Sequence, residues 1–416
     1  MSLLVQKFGG TSVGSTERIQ NVARRLLETQ RQGNKVAAVV SAMSGETNRL
    51  TALAKEVSEG KDPTEREMDV LLSSGEQVSI ALTAMAINAM GGKAISLTGA
   101  QAGIATDGEH TRARISNIEC DDVHGLLDDG YIVIIAGFQG LSPDGLVTTL
   151  GRGGSDLTAI AMAAALEADL CQIFTDVEGV YTCDPRVVAD ARKLPEISYD
   201  EMLEMASSGT KVMQSRSVEF AKKFGVKFEV RSSFNDQPGT IVTEEHEKME
   251  AVVIRGVSLE RNQAQVTITN VPDEPGLASQ IFNSIANAGI IIDMIVQNIS
   301  HQTKATDISF TLHENDLGKA GDTLRPIADE LSGVELATHS GIAKLSVVGI
   351  GMRSHSGVAA KMFSALADAG INIRMITTSE IKTAVIVRED KVDDGAKAVH
   401  AAFGLSNAIE EEITSS

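Results

Sequence analysis

Tryptophan is absent from this 416-residue sequence, and aromatic residues make up only 3% of it. Proteins that bind single-stranded nucleic acid stack its bases on aromatic side chains, so a role of that kind is disfavoured. The formal net charge of −19 points the same way, because a nucleic-acid surface needs clustered Lys and Arg. This charge leaves open a site for a single nucleotide, which needs only a few local cations.

Cysteine is scarce as well. Cys120, Cys171 and Cys183 are the only three, no two have CxxC spacing, and the eight histidines show no zinc-ligand spacing. We expect the cysteines to be reduced thiols. No signal-peptide pattern precedes the first predicted strand, and no uninterrupted apolar run is long enough to span a bilayer, so we expect a soluble cytoplasmic protein.

Two common nucleotide-binding motifs are also missing. The sequence has no G-x-x-x-x-G-K-[ST], which excludes a P-loop NTPase, and no G-x-G-x-x-G after its first strand, which disfavours a Rossmann dehydrogenase. Apolar strands do alternate with helical patterns up to about residue 245, which predicts a three-layer α/β domain with a largely parallel sheet. A chain of this length is expected to fold as two or three domains.

The first predicted strand leads into a glycine loop. Leu3–Val5 is an apolar run, Lys7–Ser12 reads KFGGTS, and a helical pattern starts near Ser15. Backbone without Cβ atoms can approach a phosphate closely, and the N–H groups of a first helical turn point at it. The alternative is a tight turn that carries a surface lysine.

A second glycine loop follows a predicted hairpin over Phe138–Leu150. It reads GRGGSD over Gly151–Asp156 and precedes an Ala-rich helix, with Ser155 or Asp156 expected as the N-cap. Arg152 offers a guanidinium fork for a carboxylate or a phosphate. Two such loops in one α/β domain favour a binding site over two structural turns.

Three further segments have two interpretations each. The Ser41–Asn48 loop follows the second predicted strand and is either a ligand contact or a plain connection. Glu76, in a long apolar helical region, is either solvated at a helix break or the partner of an ammonium group. The turn-rich segment Asp176–Arg186 either holds an adenosine, with Tyr181 near the base, or is a solvated loop.

The last third of the sequence contains a repeat. Gly276–Ile295 aligns with Gly357–Ile376 without a gap, at an offset of 81 residues. Each copy predicts a strand, a loop, an amphipathic helix, a Gly stop and a second strand. Such modules stabilise one another by pairing, and a purely structural dimerisation module is the alternative to a ligand-binding one.

Five ordered motifs of the first domain resemble those of the aspartate kinases in the amino-acid-kinase family, namely KFGGTSV, SAMSGETN, SSGE, GRGGSD and TDVEGVYTCDPR. The paired loops VPDEPG and GMRSHSG, with IVQN and TTSE, resemble the two ACT domains of that family. The resemblance implies a three-layer αβα amino-acid-kinase (carbamate-kinase-like) domain over 1–245. It also implies two ferredoxin-like α+β ACT domains over 262–335 and 342–410, with 251–258 pairing onto the second. Cys183 departs from the hydroxyl residue that is more common there.

The resemblance further implies an activity, the transfer of the γ-phosphoryl group of ATP to the side-chain carboxylate of L-aspartate. The product would be 4-phospho-L-aspartate, the first intermediate toward lysine, threonine and methionine. Lys7 and Asp156 would be catalytic, and Mg²⁺ would arrive on ATP. Aspartate would contact Thr47, Glu76, Arg152, Gly153, Gly154 and Ser155. ATP would contact Lys7, Gly9, Gly10, Thr11, Ser12, Ser41, Thr175, Asp176, Tyr181, Asp184, Pro185, Arg186, Lys211 and Val212. The acceptor carboxylate, with an ordinary pKa near ~3.9, is already anionic at neutral pH, so no general base is required.

The ACT pair would bind lysine, threonine or both as feedback inhibitors, and would assemble the chain into a homo-oligomer. The positions that match the family's effector site are Asp273, Pro275, Gly276, Ala278, Ile292, Asp293, Gln297, Asn298, Asn372, Ile373 and Glu380. Met249 stands just before this region, so an internal start there would give a separately translated regulatory subunit.

The same residues have two rival functional interpretations. Another amino-acid kinase, acting on acetylglutamate or a nucleotide monophosphate, is disfavoured because only an unblocked α-amino acid needs both Arg152 and Glu76. A non-catalytic amino-acid sensor with an inactive kinase half is disfavoured because Lys7, Arg152 and Asp156 are all present.

Overall fold

The computed structural model describes residues 1–207, 213–246, 249, 252–300, 305–331 and 333–407. The chain divides into two compact units. The first comprises Met1–Val180, Lys193–Ser207 and the described part of Lys211–Met249, and the second comprises Tyr181–Arg192 and the described part of Glu250–Ser416. The predicted nucleotide residues Lys211 and Val212 lie outside the described residues.

The strands of the first unit form two sheets. In chain order they are β1 (Leu3–Phe8), β2 (Lys35–Val40), β3 (Ala94–Leu97), β4 (Ile104–Thr106), β5 (Ile115–Ile118), β6 (Ile132–Ala136), β7 (Gln139–Leu141), β8 (Val147–Thr149), β9 (Leu170–Thr175), β10 (Glu196–Ser198), β11 (Phe228–Ser232) and β12 (Thr240–Thr243). Eight of them form one sheet in the order β10-β12-β11-β9-β1-β2-β6-β3, parallel at every pairing except β11 with β12. The predicted, largely parallel sheet is confirmed.

The helices of the first unit account for the apolar character of this sheet. They are α1 (Thr16–Arg31), α2 (Glu46–Val57), α3 (Glu65–Ala89), α4 (Asp121–Asp128), α5 (Gly154–Ala165), α6 (Tyr199–Ser207) and α7 (Ser215–Phe224). Strand β2 reads KVAAVV and β6 reads IVIIA, and every residue after Lys35 in the two strands is buried. Continuous apolar runs of this kind are typical of parallel strands that helices cover. Leu26 of α1 and Ile80 of α3 share one buried cluster with Ile134 of β6.

Helix α3 is also notable for its length. Among the described helices it alone is long and apolar enough, by length and composition, to cross a membrane. Since 44% of its most apolar stretch is buried inside the structure, the same features fit a core helix, and they are weak evidence for a membrane span.

The second sheet of the first unit has the strand order β5-β4-β7-β8. Strands β7 and β8 pair in antiparallel fashion and are the hairpin that the sequence predicts. Strands β4 and β5 were not predicted, because three or four residues carry too little periodicity to stand out. This sheet delivers the second glycine loop, which begins two residues after the end of β8.

The second unit contains one antiparallel sheet and the repeat. Its elements are β13 (Gly256–Pro272), α8 (Leu277–Asn287), β14 (Ile292–Ser300), β15 (Ala305–His313), α9 (Leu317–Glu330), β16 (Glu335–Val348), α10 (Val358–Asp368), β17 (Met375–Thr378), β18 (Lys382–Arg388) and α11 (Val392–Ala402). The strand order is β14-β15-β13-β16-β18-β17. The predicted duplicated α+β module is confirmed, and its two copies share one continuous sheet.

Two long strands join the copies. Strand β13 pairs along much of its length with β16, and Gly256–Glu260 lies opposite Lys344–Val348. The remainder of β13 pairs with β15 of the first copy, from Gln263 opposite His313 onward. The start of β13 therefore contributes a strand to the second copy, while its end belongs to the first.

Candidate active site

The carboxyl ends of neighbouring parallel strands meet at one edge of the eight-stranded sheet. Strand β1 lies between β2 and β9, with Phe8 opposite Val40 on one side and Phe174 on the other. Gly9 N donates a hydrogen bond to Phe174 O at 3.3 Å, and Ser41 N donates to Phe8 O at 3.1 Å. Open α/β sheets bind ligands at an edge of this kind, where successive strands lie on opposite sides of a central one. The predicted residues at this edge are Lys7, Gly9, Gly10, Thr11, Ser12, Ser41, Thr175 and Asp176.

The loop after β1 has a tight point that only glycine fits. A Cβ atom on Gly10 would lie 2.8 Å from Ala42 O, and Ser44 N donates to Gly10 O at 3.2 Å. The short 3₁₀ helix Gly10–Val13 follows, and no side chain caps it. Ser12 in this helix is buried, and its hydroxyl has no hydrogen-bond partner within the described part of the chain. The loop thus presents polar groups that a bound phosphate would satisfy.

Two left-handed glycines shape the second loop. Gly151 has a φ of 76° and Gly153 a φ of 71°, and helix α5 begins at Gly154. The predicted N-cap at Ser155 or Asp156 is wrong, because the left-handed turn at Gly153 starts the helix earlier in the chain. Glycine has no side chain with which to cap a helix. Gly154 N and Asp156 N donate to Gly151 O at 3.0 Å and to Gly153 O at 3.1 Å, so Ser155 N is the group of this turn that suits an anion.

Lys7 and Asp156 join the two loops. Lys7 Nζ lies 2.5 Å from Asp156 Oδ1, and the two side chains are only 11% and 13% exposed. Ser155 is buried, and a Cβ atom on Gly137 would lie 2.7 Å from its Oγ, so the start of α5 packs directly against the end of β6. An ammonium group held by a partly buried carboxylate stays oriented and acts in a medium where its charge is weakly screened.

Arg152 and Thr47 are the exposed members of the predicted aspartate site. Arg152 forms no hydrogen bond or ion pair with any residue that the structure describes. Thr47 lies in the first turn of α2, whose N-cap Gly45 has a φ of 83° and offers no capping side chain. Both side chains are therefore available to a ligand.

Glu76 is buried, which removes one of its two interpretations. It is 4% exposed and lies inside an unbroken α3, so the prediction of a solvated residue at a helix break is wrong. Ala42 N donates to Glu76 Oε1 at 3.1 Å, while Oε2 has no partner among the described residues. Burial raises the pKa of Glu76 to about 7. A buried carboxylate with one unpaired oxygen is suited to an ammonium group, because it would be costly to leave unpaired when ionised.

Four of the predicted nucleotide residues lie in the second unit, namely Tyr181, Asp184, Pro185 and Arg186. Arg186 Nη2 lies 2.7 Å from Asp184 Oδ2, and the hydrogen bonds from Arg186 lower the pKa of Asp184. Cys183 is buried in the apolar cluster of the second repeat copy, whereas Thr182 Oγ1 is 2.9 Å from His400 Nε2. A hydroxyl at position 183 would need a partner in that cluster, which gives a physical reason for the cysteine.

Asp69 is a candidate functional residue that the sequence patterns did not indicate. It lies on α3, is completely buried, and its carboxylate contacts three residues of the first unit, namely His110, Thr111 and Thr149. The signal in the sequence was an acidic residue seven positions before Glu76 in the same apolar helix, which places the two on one helical face. Its partners are far away in the chain, so no local pattern identifies them.

The predicted effector residues lie on loops, one helix and edge strands of the second unit. The loop between β13 and α8 and the start of that helix hold Asp273, Pro275, Gly276 and Ala278, and edge strand β14 holds Ile292, Asp293, Gln297 and Asn298. In the second copy, Asn372 and Ile373 precede edge strand β17, and Glu380 follows it. Glu380 also borders a cavity of about 470 Å³ lined by Met352, Arg353, His355, Gly357, Val358, Ala359, Thr378, Ser379, Glu380 and Thr383.

Asp293, whose side chain is 37% exposed, takes part in a charge cluster around a buried lysine. Lys344 of β16 has a side chain only 3% exposed; its Nζ lies 2.8 Å from Glu260 Oε2 and also pairs with Asp293. Burial works to lower the pKa of Lys344, yet the two carboxylates outweigh it and hold that pKa above its usual value. The cluster ties β14 of the first copy to the two long strands.

No group of three or more His, Cys, Asp and Glu side chains within the described ranges is arranged to hold a metal ion. Lys7 already pairs with Asp156, the one carboxylate that joins the two glycine loops.

Comparison with known proteins gives the family. The sequence profile of the amino acid kinase family matches residues 2–232, and the profile of an ACT domain matches 266–325 and 345–403. The aspartate kinase of Pseudomonas fluorescens (strain SBW25) is 52% identical over 406 residues, which cover 97% of this chain and 98% of that protein.

Two crystal structures of Escherichia coli aspartokinase III are similar over almost the whole chain. The complex with aspartate and ADP, in the R-state, has a TM-score of 0.79 at 26% identity, covering 96% of this chain and 99% of that one. The complex with lysine and aspartate, in the T-state, has a TM-score of 0.77 at the same identity and coverage. The resemblance carried by the motifs is thus confirmed, and the chain belongs to the aspartate kinases, ATP-dependent phosphotransferases in which ACT domains follow an amino acid kinase domain.

Proposed function

We propose that the sheet edge of the first unit is where this aspartate kinase transfers the γ-phosphoryl group of ATP to the side-chain carboxylate of L-aspartate. The observation that carries the proposal is the ion pair of Lys7 with Asp156 between two glycine loops. Glu76 adjoins the first of these loops, since it accepts a hydrogen bond from Ala42, whose carbonyl oxygen limits the space at Gly10.

The reaction brings together two anions that repel each other, and the proposed site offsets this repulsion with positive charge and by positioning the reactants. An oxygen of the substrate carboxylate attacks the γ-phosphorus, the bond to the bridging oxygen breaks, and ADP leaves as 4-phospho-L-aspartate forms. Lys7 places positive charge beside the transferring group, and Asp156 keeps its ammonium oriented. No proton has to be removed from the nucleophile, which agrees with a site built from Lys, Arg and glycine loops.

Recognition of an unblocked α-amino acid requires one cation and one anion. Arg152 would hold the α-carboxylate in a bidentate pair, and the free Oε2 of Glu76 would accept the ammonium group. Thr47, Gly153, Gly154 and Ser155 would complete the pocket. An acylated amino acid or a nucleotide would leave the Glu76 carboxylate unpaired, and this disfavours both of the rival kinase substrates.

ATP fits the loops for a structural reason. A Cβ atom on Gly10 would lie 2.8 Å from Ala42 O, so glycine lets this loop pack against the loop that follows β2. The buried Ser12 hydroxyl has no hydrogen-bond partner among the described residues, and a phosphate oxygen would supply one. Mg²⁺ bound to ATP would supply positive charge that offsets the phosphate oxygens. The remaining nucleotide contacts are carried over from the family, and the ADP complex of E. coli aspartokinase III supports a nucleotide here.

Feedback regulation is proposed for the second unit. Lysine, threonine or both would bind at the loop that precedes each repeat helix, with Asp273, Gln297 and Asn298 in the first copy and Glu380 in the second. The lysine complex of E. coli aspartokinase III supports an amino-acid effector. The exposed edge strands β14 and β17 are suited to assembly of a homo-oligomer through the ACT domains, and the cytoplasm is the proposed location.

The test is a steady-state assay that traps the acyl phosphate with hydroxylamine. Lys7→Ala should lower mainly kcat, whereas Arg152→Ala should raise mainly the KM for L-aspartate. Normal kinetics in both variants would refute both roles. Loss of wild-type activity only when lysine and threonine are both added would support concerted inhibition, whereas turnover insensitive to both would refute the proposed regulation. An absence of hydroxamate, with effector binding intact, would favour the amino-acid sensor.

A further inference from the structure

We propose that Asp69 is a positioning residue for the aspartate site, and that its buried carboxylate holds the Arg152 loop against the helix that carries Glu76. The inference rests on the proposed function, in which Arg152 and Glu76 bind the two charged groups of L-aspartate. It adds a residue that touches no substrate but fixes the spacing between the two that do.

The Asp69 carboxylate is fully occupied by protein groups. His110 Nδ1 lies 2.6 Å from Oδ2, and Thr149 Oγ1 donates to Oδ1 at 2.5 Å. Thr111 N lies 3.0 Å from Oδ1 and 3.1 Å from Oδ2. Asp69 has no exposed surface, so these bonds replace water completely. Such a group can orient its neighbours but has no capacity left for a ligand.

The partners of Asp69 are the segments from which the Arg152 loop emerges. Thr149 is the last residue of β8 and stands three positions before Arg152. Ala113 N donates to Thr149 O at 2.9 Å, which ties the segment after His110 to the same point. The Arg216 guanidinium donates to Leu150 O and to Ala113 O, each at 3.0 Å. The base of the loop is therefore held from three sides.

The hydrogen bonds to Asp69 hold Thr111 in a backbone conformation that threonine rarely adopts. Its φ is 64°, in the left-handed region that β-branched residues rarely adopt, and the surroundings must hold it there. A Cβ atom on Gly151 would lie 3.2 Å from Thr111 O. The strained turn thus packs its carbonyl against the residue that precedes Arg152, and the bonds from Asp69 to Thr111 N keep that contact in place.

Helix α3 fixes the distance between Asp69, which anchors the Arg152 loop, and Glu76. Asp69 and Glu76 are seven residues apart, which is nearly two turns at about 3.6 residues per turn, so they share one face about 10 Å apart along the axis. A helix in a packed core behaves as one rigid body. The anchor of the Arg152 loop and the proposed ammonium ligand therefore move together, which holds the cation and the anion at one separation.

The test compares substitutions at the two ends of one hydrogen bond with a neighbouring control. Thr149→Val removes the hydroxyl that contacts Asp69, Thr149→Ser keeps it, and Asp69→Asn removes the charge. Thr148→Val is the control, because the Thr148 hydroxyl is also buried in β8 but lies 2.7 Å from Thr106 Oγ1. Each purified variant is assayed for the KM of L-aspartate and of MgATP, with a thermal melt to establish folding.

We expect Thr149→Val and Asp69→Asn to raise the KM for L-aspartate at least about tenfold, since an error of ~1 Å in a binding group is enough for that. The KM for MgATP should stay within about twofold, and Thr149→Ser should retain wild-type values. Thr148→Val should lower only the melting temperature. A general structural role for Asp69 would instead change both KM values or neither.

The Arg152→Ala variant distinguishes an error in the positioning role of Asp69 from an error in the proposed aspartate site. If it raises the KM for L-aspartate while Thr149→Val and Asp69→Asn leave that KM at the control value, the positioning role is wrong and the proposed aspartate site stands. If Arg152→Ala itself has no effect, the assignment of the aspartate site is wrong and the positioning role falls with it. Should Asp69→Asn fail to fold, Thr149→Val decides.

Discussion

Replacing Glu76 with Gln should make the protein more stable at neutral pH and worse at binding aspartate. The amide oxygen of Gln can keep the hydrogen bond from Ala42 N, and its NH₂ group takes the place of the oxygen that has no described partner. The substitution therefore changes charge with little change in shape. Stability and function should respond in opposite directions because the charge is useful only when the substrate is bound.

The magnitude follows from the pKa of Glu76. Burial raises it from 4.5 to about 7, and at about 1.36 kcal/mol per pH unit the ionised carboxylate costs the folded state about 3 kcal/mol. Because the pKa is higher in the folded state, the folded protein binds the extra proton, and stability falls as the pH rises from 4.5 to about 7. Glu76→Gln should thus exceed the wild type in free energy of unfolding by about 2–3 kcal/mol at pH 8, and by less than about 1 kcal/mol at pH 5.

Two measurements check this reasoning. Urea unfolding of both proteins at pH 5 and pH 8 gives the stability difference and its dependence on pH. Hydroxamate kinetics at pH 8 give the KM for L-aspartate, which should rise about ten- to a hundredfold, since a hydrogen bond to a charged group is worth about 1.5–3 kcal/mol. In the wild type, this KM should fall as the pH rises through about 7. A stability difference that is equal at the two pH values would refute the burial penalty, and an unchanged KM would exclude Glu76 from ammonium binding.

Three other substitutions test separate parts of the structure. Gly10→Ala places a Cβ atom against Ala42 O and must displace the loop after β1, so kcat/KM for MgATP should fall at least about tenfold; a value near wild type would mean that the exact position of this loop does not matter for MgATP. Lys344→Met removes the cation that Glu260 and Asp293 share, and because the two carboxylates are 28% and 37% exposed, urea unfolding should show a loss of only about 1 kcal/mol. A stability equal to or above that of the wild type would refute a stabilising role for this cluster. On an immunoblot of a C-terminally tagged chain, the wild-type gene should give a shorter C-terminal product that Met249→Leu abolishes. A single full-length band from both the wild-type and the Met249→Leu gene would refute the internal start.

The parts of the site that the sequence predicted are those whose chemistry is local. The loop after β1 could be found because an apolar strand, a glycine pair and a helical start are contiguous between Leu3 and Ser15. The ion pair between Lys7 and Asp156 could not be found in this way, since it joins residues about 150 positions apart and depends on the order of strands in the sheet. The resemblance to a family implies that Lys7 and Asp156 are both catalytic, and the structure shows that the two side chains pair.

The errors have the same origin. The N-cap of α5 was placed at Ser155 or Asp156 because those side chains are good caps, whereas the left-handed conformation of Gly153 decides where the helix starts. The extent of the strands in the second unit was equally hard to predict. Strand β13 serves both repeat copies, and no period in the sequence marks the point where it passes from one copy to the other.

Helix α3 carries two buried carboxylates on one face, and their hydrogen bonds predict opposite outcomes when either charge is removed. Both oxygens of Asp69 have partners, so Asp69→Asn breaks a satisfied network and should destabilise the protein. One oxygen of Glu76 has no partner among the described residues, so Glu76→Gln should stabilise it. Burial alone does not separate these two cases, because Asp69 is the more deeply buried. The difference lies in which carboxylate the folded chain satisfies by itself and which one is left for the substrate.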